Sequence, residues 1–340
     1  MLALVSLALA STILLAAESP AEVHHEWGEL KEVIVGRGDD LFLPGYHASV
    51  AFSYDPNDKA LMEQYGGLPA TEVEPENTAK LMAQLDGLVK TLEARGIVVH
   101  RPATLSPEEM AQFQDIQKGA MFLYARDPML VIGNTIIETA LQAPMRFRER
   151  YALRPLLEAK AKLPGVLFFA MPSPSPKFDQ TNAYLEGGDV LLNGYDIYVG
   201  HSGHGSNQAG REWLQRVLGS KYRVQGVDIS PEFEHLDCVM SLVRPGLGLL
   251  CKEAVKSELP PSIRDWEFIE VSMEEAKRLG CNALVLDKDT IILDAQHPRI
   301  AEELRRRKVT VIELPYDAVA RWNGGFRCSH HPLRRVSILE

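Results

Sequence analysis

The sequence predicts a mixed α/β protein in which five similar ββαβ units stand around a common axis, strands inside and helices outside. Two observations carry that expectation. Apolar hairpins with tight-turn residues recur along the chain at intervals of about 40–60 residues, the mark of one supersecondary unit repeated. Each hairpin leads into a helix-periodic stretch, or its remnant, and then one more short strand, so every unit mixes the two periods.

The first unit opens with a strand at Glu32–Gly36 and continues through a long loop of weak pattern. A helix follows with Leu81, Leu85, Leu88 and Leu92 on one face, the spacing of a buried stripe. Gly96 ends it, and Ile97–His100 reads as a strand. The second unit has a hairpin over Met129–Glu138 that turns at Gly133-Asn134, a helix around Phe147–Leu163 interrupted at Pro155, and a strand at Val166–Ala170. In the third, Val190–Leu192 and Ile197–Val199 flank the turn Asn193-Gly194, before a helix near Asn207–Leu218 and a strand at Tyr222–Val224. The fourth pairs Val239–Leu242 with Gly248–Leu250 around Pro245-Gly246, and its helix is short or missing before Phe268–Val271. Ser272 and Glu275 form a capping box that opens a helix to Leu279. The fifth unit runs Ala283–Leu286, a turn at 287–289, Thr290–Leu293, a helix from Pro298 and a strand at Val309–Leu314. The Pro-rich run 172–176 reads as a loop inside the array, leaving one domain over residues 23–340.

At 340 residues, with 46% hydrophobic and 24% charged residues, the chain has the composition of a globular protein. Its net charge of −10 argues against a nucleic-acid groove or an anionic membrane surface as partner. Cys238, Cys251, Cys281 and Cys328 show no C-x-x-C spacing, so neither a zinc site nor a disulfide framework is expected. Leu2–Ala17 is an apolar run too short for a comfortable membrane span. It fits the core of a signal peptide, although no Lys or Arg precedes it. Residues 1–22 thus read as a signal peptide or an extension ahead of the fold. The protein is periplasmic or secreted in the first case and cytoplasmic in the second. His24-His25 read as a flexible end.

A polar cluster stands immediately before each repeated hairpin: Arg126-Asp127, Glu186-Gly187-Gly188-Asp189, His235-Leu236-Asp237 and Gly280-Cys281-Asn282. After the last strand comes Gly324-Gly325-Phe326-Arg327-Cys328, its thiol behind a flexible Gly-Gly and between Arg327 and Arg334-Arg335. In a radial array, equivalent strand ends converge on the axis. Asp127, Asp189, His235, Asp237 and Cys328 are therefore expected in one pocket, with the nearby cations lowering the thiol pKa. Taken singly, each aspartate is equally well a turn cap. Together they suit a planar guanidinium: paired carboxylates match its fork of N–H donors, a thiolate attacks its carbon, and a histidine protonates the departing amine. His201, His204 and His330-His331 lack a partnered carboxylate motif and read as loop or supporting residues, so no metal and no cofactor is expected.

These clusters, with Trp27–Arg37 and the stretches 125–134 and 136–148, resemble the guanidine-modifying (pentein) superfamily over roughly Trp27 to Ile338. That superfamily comprises amidinotransferases, arginine deiminases and dimethylarginine hydrolases. The resemblance implies a five-bladed α/β propeller with Cys328 as nucleophile, His235 as acid/base and Asp189 as a further catalytic group. It has Asp189 and Asp237 hold the guanidinium, with Asp127 at the site edge and Glu186 among the substrate-binding residues. The opening and the segment after Asp127 look most like glycine amidinotransferases, whereas the Glu-Gly-Gly-Asp and His-Leu-Asp forms are more typical of the hydrolases. Three functions stay open: transfer of an amidino group from arginine to an amine, hydrolysis of arginine or a substituted arginine, and non-catalytic binding on the same fold. The partners implied are small molecules, with no nucleic acid and no membrane, and a homodimer is an allowed assembly.

Overall fold

Five three-stranded sheets, all assembled to one plan, account for the strands of the computed structural model, which describes residues 19–54, 56–111, 118–175 and 181–339. The apolar run at 2–17 lies outside these residues. In four sheets the chain makes an antiparallel hairpin and later returns with a strand parallel to the hairpin's second arm. The first sheet draws on both ends of the chain. Here β1 (Leu30–Val35) pairs in parallel with β2 (Val98–His100). The hairpin sheets are β3 (Met129–Ile132), β4 (Thr135–Glu138) and β5 (Leu167–Ala170); β6 (Val190–Asn193), β7 (Asp196–His201) and β8 (Arg223–Asp228); β9 (Met240–Arg244), β10 (Leu247–Leu250) and β11 (Glu267–Glu270); and β12 (Leu284–Asp287), β13 (Thr290–Asp294) and β14 (Thr310–Leu314). The C-terminal β15 (His330–Arg335) pairs antiparallel with β1 and fills the place that a first hairpin strand holds elsewhere.

The helices follow from their patterns. Pro75–Glu93 buries Leu81, Leu85, Leu88 and Leu92 completely, each contributing about 1.5–3 kcal/mol. Gln208–Leu218 starts where Asn207 accepts a hydrogen bond from the Gly210 amide, satisfying a donor that the first helical turn leaves unpaired. Glu149–Ala161 continues through Pro155, and Pro298–Arg306 carries Ile300, Ala301 and Leu304 into the core. The fourth unit has only a 3₁₀ turn between its hairpin and last strand. No helix of the described residues is long and apolar enough to cross a membrane.

Two expectations need correction. The weakly patterned stretch after β1 contains helices at Pro56–Tyr65 and Ala70–Val73. Each buries a single residue, Met62 and Ala70, too few to make a periodic stripe. His24-His25 are not a loose end. Val23 exchanges backbone hydrogen bonds of 3.0 and 2.7 Å with Gly133, and the Gly194 amide donates to the His24 carbonyl. Burial drives the His25 pKa down to about 4.

This N-terminal segment also delivers Glu26 to a buried cation. Arg327 donates to Glu26 Oε1 at 3.0 Å, to Asp237 at 3.1 Å and to the carbonyls of Gly187, Gly188 and Val190. Burial opposes ionisation of Glu26, but Arg327 and Arg126 outweigh it and hold the carboxyl below its ordinary pKa. Removing one partner of a buried pair leaves the other charge uncompensated. With Asp237 still in place, Glu26→Ala should cost about 3 kcal/mol, the low end for such a loss. Urea denaturation reads this directly, and a cost below about 1 kcal/mol would show that the pair is not an anchor.

Candidate active site

The candidate residues sit on short turns that lead into the first strand of each sheet, and these turns are tied to one another in a closed circuit. The Arg126 amide donates to the Cys328 carbonyl. Asp127 accepts from the Gly188 amide at 2.8 Å. Asp189 accepts from the Leu236 amide at 3.1 Å. Asn282 donates to the Asp237 carbonyl at 3.4 Å and accepts from the Arg327 and Cys328 amides at 2.9 and 3.2 Å. The repeat phase read from the sequence therefore corresponds to a real meeting point. Asp127, Glu186, Asp189, His235, Asp237 and Cys328 are all buried there.

Their roles divide by what each atom touches. Asp127, Arg146, His235 and Cys328 line a tight cavity with Tyr54, Tyr124, Met145 and Glu234. Its mouth, at Ser53, Glu234 and Asn323, is shared with a wider outer cleft of about 550 Å³. His235 Nε2 is 2.8 Å from Glu186 Oε2, and its Nδ1 is 3.7 Å from Asp127 Oδ1. Burial would lower the histidine pKa, but Asp127, Glu234 and Glu186 outweigh it and raise it well above its usual range, giving an imidazolium. Asp127 is fixed by Arg146, which donates to Oδ2 at 2.9 Å. Burial pushes its pKa up, yet His235 and Arg146 win and lower it. Glu186 spends its other oxygen on the Gln142 amide.

Asp189 does not reach this cavity. Its carboxylate accepts from two backbone amides, Ser206 at 2.7 Å and Leu236 at 3.1 Å, and burial pushes its pKa to about 7 against the pull of His235 and Ser206. Of the two acids in this turn, it is Glu186, three residues earlier, that contacts the histidine, while the expected guanidinium partner Asp189 is engaged by backbone amides. Asp237 lies behind the thiol, 3.8 Å from Cys328 Sγ, with Arg327 on its other side.

The thiol also differs from expectation. Burial, then the negative charges of Asp237 and Asp127, raise the Cys328 pKa well above its ordinary value. The neighbouring arginines do not offset this. Arg327 is spent on Glu26 and Asp237, Arg335 donates to the carbonyls of Gly28 and Val285, and Arg334 stands across from Glu32 on β15. Nor are Gly324 and Gly325 there for flexibility. A Cβ on Gly324 would sit 2.4 Å from the Tyr124 ring, and one on Gly325 2.7 Å from Asn282 Oδ1. Close packing, not hinge motion, requires them.

Three contributors were missed as site residues. Asn282 donates to Cys328 Sγ at 3.1 Å, and its place before a hairpin was the signal for it. Arg146 and Glu234 sit outside the repeated clusters or beside a stronger candidate, and no spacing marked them. Among the described residues, Asp127, Glu186 and His235 are the one group whose ligand atoms lie close enough to share a metal ion. Those atoms already form the ion pairs described above, which is the arrangement of an acid–base group.

A family model described as N,N dimethylarginine dimethylhydrolase, eukaryotic, matches residues 68–335. Inosamine-phosphate amidinotransferase 1 of Streptomyces glaucescens is 28% identical, over 95% of this chain and 99% of that protein. The mitochondrial glycine amidinotransferase of Danio rerio is 25% identical, over 96% and 85%. Among solved structures, SxtG, an amidinotransferase from Microseira wollei in the saxitoxin biosynthetic pathway, superposes with a TM-score of 0.80 at 26% identity, covering 94% of this chain and 99% of that one.

Two measurements check this account of the site. In the free protein, alkylation of Cys328 by iodoacetamide should rise about tenfold per pH unit from pH 7 through pH 9, since only the thiolate reacts. A plateau near neutrality, with the modified residue located by mass spectrometry, would mean a preformed thiolate. Asp189→Asn sets an amide NH₂ against a backbone N–H and should cost about 1–3 kcal/mol of stability. Glu186→Gln should instead leave stability nearly unchanged and lower the His235 pKa, followed by NMR titration of its ring protons; the opposite pattern would return Asp189 to the cavity.

Proposed function

The chain belongs to the guanidine-modifying pentein superfamily, through the N,N-dimethylarginine dimethylhydrolase family whose model it matches, and we propose that it works as an amidinotransferase with arginine as donor. One observation carries this reading: a buried thiol, an imidazolium and the Asp127 carboxylate face one cavity, with the Asp237 carboxylate directly behind the thiol. A guanidinium fits there as a planar cation whose fork of donors can meet Asp127 at the cavity wall and reach toward Asp237 past the thiol.

The chemistry follows. With the guanidinium bound, its positive charge offsets the carboxylates that hold the Cys328 proton in place, and the thiol yields that proton to Asp237, its acceptor. The sulfur attacks the guanidinium carbon and a C–S bond forms. His235 gives its Nδ1 proton to the arginine nitrogen that becomes the side-chain amine of ornithine, the C–N bond breaks, and an amidino group remains on sulfur. Glu186 holds the ring through Nε2 and favours its protonated form. Once ornithine leaves, the neutral imidazole takes a proton from the acceptor amine, which attacks the same carbon and displaces Cys328, whose sulfur takes its proton back from Asp237. Asn282 steadies the sulfur as it gains and loses charge. Asp189 acts as a positioning residue that fixes the turn carrying His235. The five sheets, with their circuit of hydrogen-bonded turns, support the five-bladed propeller as the arrangement that brings these groups together, within one domain over residues 23–340.

A second reading is favoured by the hydrolase name of the matching family: the terminal guanidinium nitrogen, not the one bearing the carbon chain, takes the proton and leaves as ammonia or an alkylamine, the chain stays on the carbon bound to sulfur, and water displaces Cys328 to release citrulline. Products separate the two. Incubation with arginine and a mixture of primary amines should yield ornithine with new guanidino compounds; citrulline as the sole product would establish the hydrolase. Cys328→Ser should lose turnover in either case. His235→Ala should lose about 10²–10⁴-fold, a loss partly recovered with donors whose leaving group needs no proton. An equal loss with every donor would make His235 structural.

A further inference from the structure

One charged side chain at the site touches none of the reacting atoms in that mechanism, beyond helping to keep His235 protonated. Glu234 lines both the reaction cavity and the outer cleft, so it stands in the neck between them, with Ser53 and Asn323. Among the described residues its carboxylate makes no hydrogen bond or ion pair. The other charges of the cleft are paired: Lys277 with Glu232, Arg321 with Asp58, Asp317 with Lys80 and, more loosely, Arg278 with Glu274. Its neighbours on the inner side are His235, Glu186, Arg146 and Asp127.

We infer that Glu234 sets the class of amine the enzyme accepts: ω-amines, whose reactive nitrogen is separated from any carboxylate by a methylene chain, in preference to α-amino acids such as glycine. The inference rests on the amidinotransferase reading. Whatever the acceptor, its nitrogen must reach the carbon bound to Cys328 Sγ, inside the cavity, while the rest of the molecule passes back through the neck. In glycine the carboxylate oxygens lie about 3–4 Å from the nitrogen, by covalent geometry alone. They would therefore stand in the neck, against a carboxylate that no side chain pairs directly and whose nearest cation, His235, is already held by Asp127 and Glu186. Like charges at such separations in a partly desolvated passage repel strongly. An ω-amine meets the neck with methylene groups, beside the rings and thioethers of Tyr54, Tyr124 and Met145. Any carboxylate it bears lies further out in the wide cleft, several ångströms from Glu234. As it enters, its ammonium is drawn to Glu234. The arginine donor has the same shape, three methylenes between its reacting nitrogen and its charged end, so donor and acceptor use one passage in turn.

The test is an acceptor series with arginine as donor: glycine, β-alanine, 4-aminobutyrate and putrescine, comparing kcat/KM. The wild-type enzyme should favour 4-aminobutyrate and putrescine over glycine by at least about tenfold. Glu234→Gln and Glu234→Met, alike in length but uncharged, should each shrink that ratio at least about tenfold, or ~1.4 kcal/mol. A ratio between acceptors is insensitive to a general loss of active protein, so a merely structural role for Glu234 would leave it unmoved. An unchanged ratio in both variants, an effect confined to the KM for arginine, or a wild-type preference for glycine would each overturn the inference. Exchange of labelled ornithine into arginine by the wild-type enzyme, without any acceptor, keeps the two levels apart. If exchange occurs and the ratio does not move, only the role of Glu234 falls. If exchange is absent, amidino transfer itself falls and takes this inference with it.

Discussion

The guanidinium of Arg327 is the feature on which the rest of the structure depends. It is almost wholly buried and joins the N-terminal segment through Glu26, the third unit through the carbonyls of Gly187, Gly188 and Val190, and the fourth through Asp237. Only a planar cation with several fixed donors can satisfy so many acceptors at once; a lysine ammonium could not span them. Charge burial of this kind is costly, and replacement by apolar side chains is often neutral for stability. Its value here is positional. The next residue is Cys328, so the contacts that hold Arg327 also determine where the thiol stands relative to Asp237.

The same arrangement explains why the resting site is electrostatically unfinished. Cys328 keeps its proton first because it is buried and then because its near charged neighbours are the carboxylates of Asp237 and Asp127, while the positive charge of Arg327 is consumed on the far side of Asp237. His235 holds a proton for the same reason, surrounded by Asp127, Glu234 and Glu186. A cationic ligand changes both balances together. It favours the thiolate, and by neutralising Asp127 it weakens the hold on the imidazolium proton. On the mechanism proposed above, activation is coupled to occupancy, and a buried thiol that stays protonated in the free protein is protected from alkylation and oxidation.

Much of this was legible in the chain. Hairpins at regular intervals with Gly133-Asn134, Asn193-Gly194 and Pro245-Gly246 at their tips identified the repeat, and the polar clusters ahead of them gave its phase. What periodicity cannot carry is the direction of a side chain within a turn. In Glu186-Gly187-Gly188-Asp189 both acids are buried, yet the 3₁₀ turn at 187–189 sends Asp189 to backbone amides and leaves Glu186 for the histidine. Nor does adjacency in sequence mean electrostatic proximity. Arg327 and Arg335 flank Cys328 in the chain, but their charges are absorbed by partners from more than forty residues away, whose location no local pattern reports.

The first sheet shows why these groups belong to one cooperative unit. In the other four sheets the turn that carries functional residues is continuous with its own hairpin. In the first, that turn comes from the far end of the chain: Cys328 precedes β15, which pairs with β1 laid down some three hundred residues earlier. The thiol is thus placed only when these two distant segments meet, through β15, the Glu22–Arg334 bridge and the Glu26–Arg327 pair. Contacts of such sequence separation are entropically expensive to close and form late. Assembly of the site accordingly depends on a long-range closure, and anything that frays the Glu26 segment should loosen the thiol more than three hundred residues away.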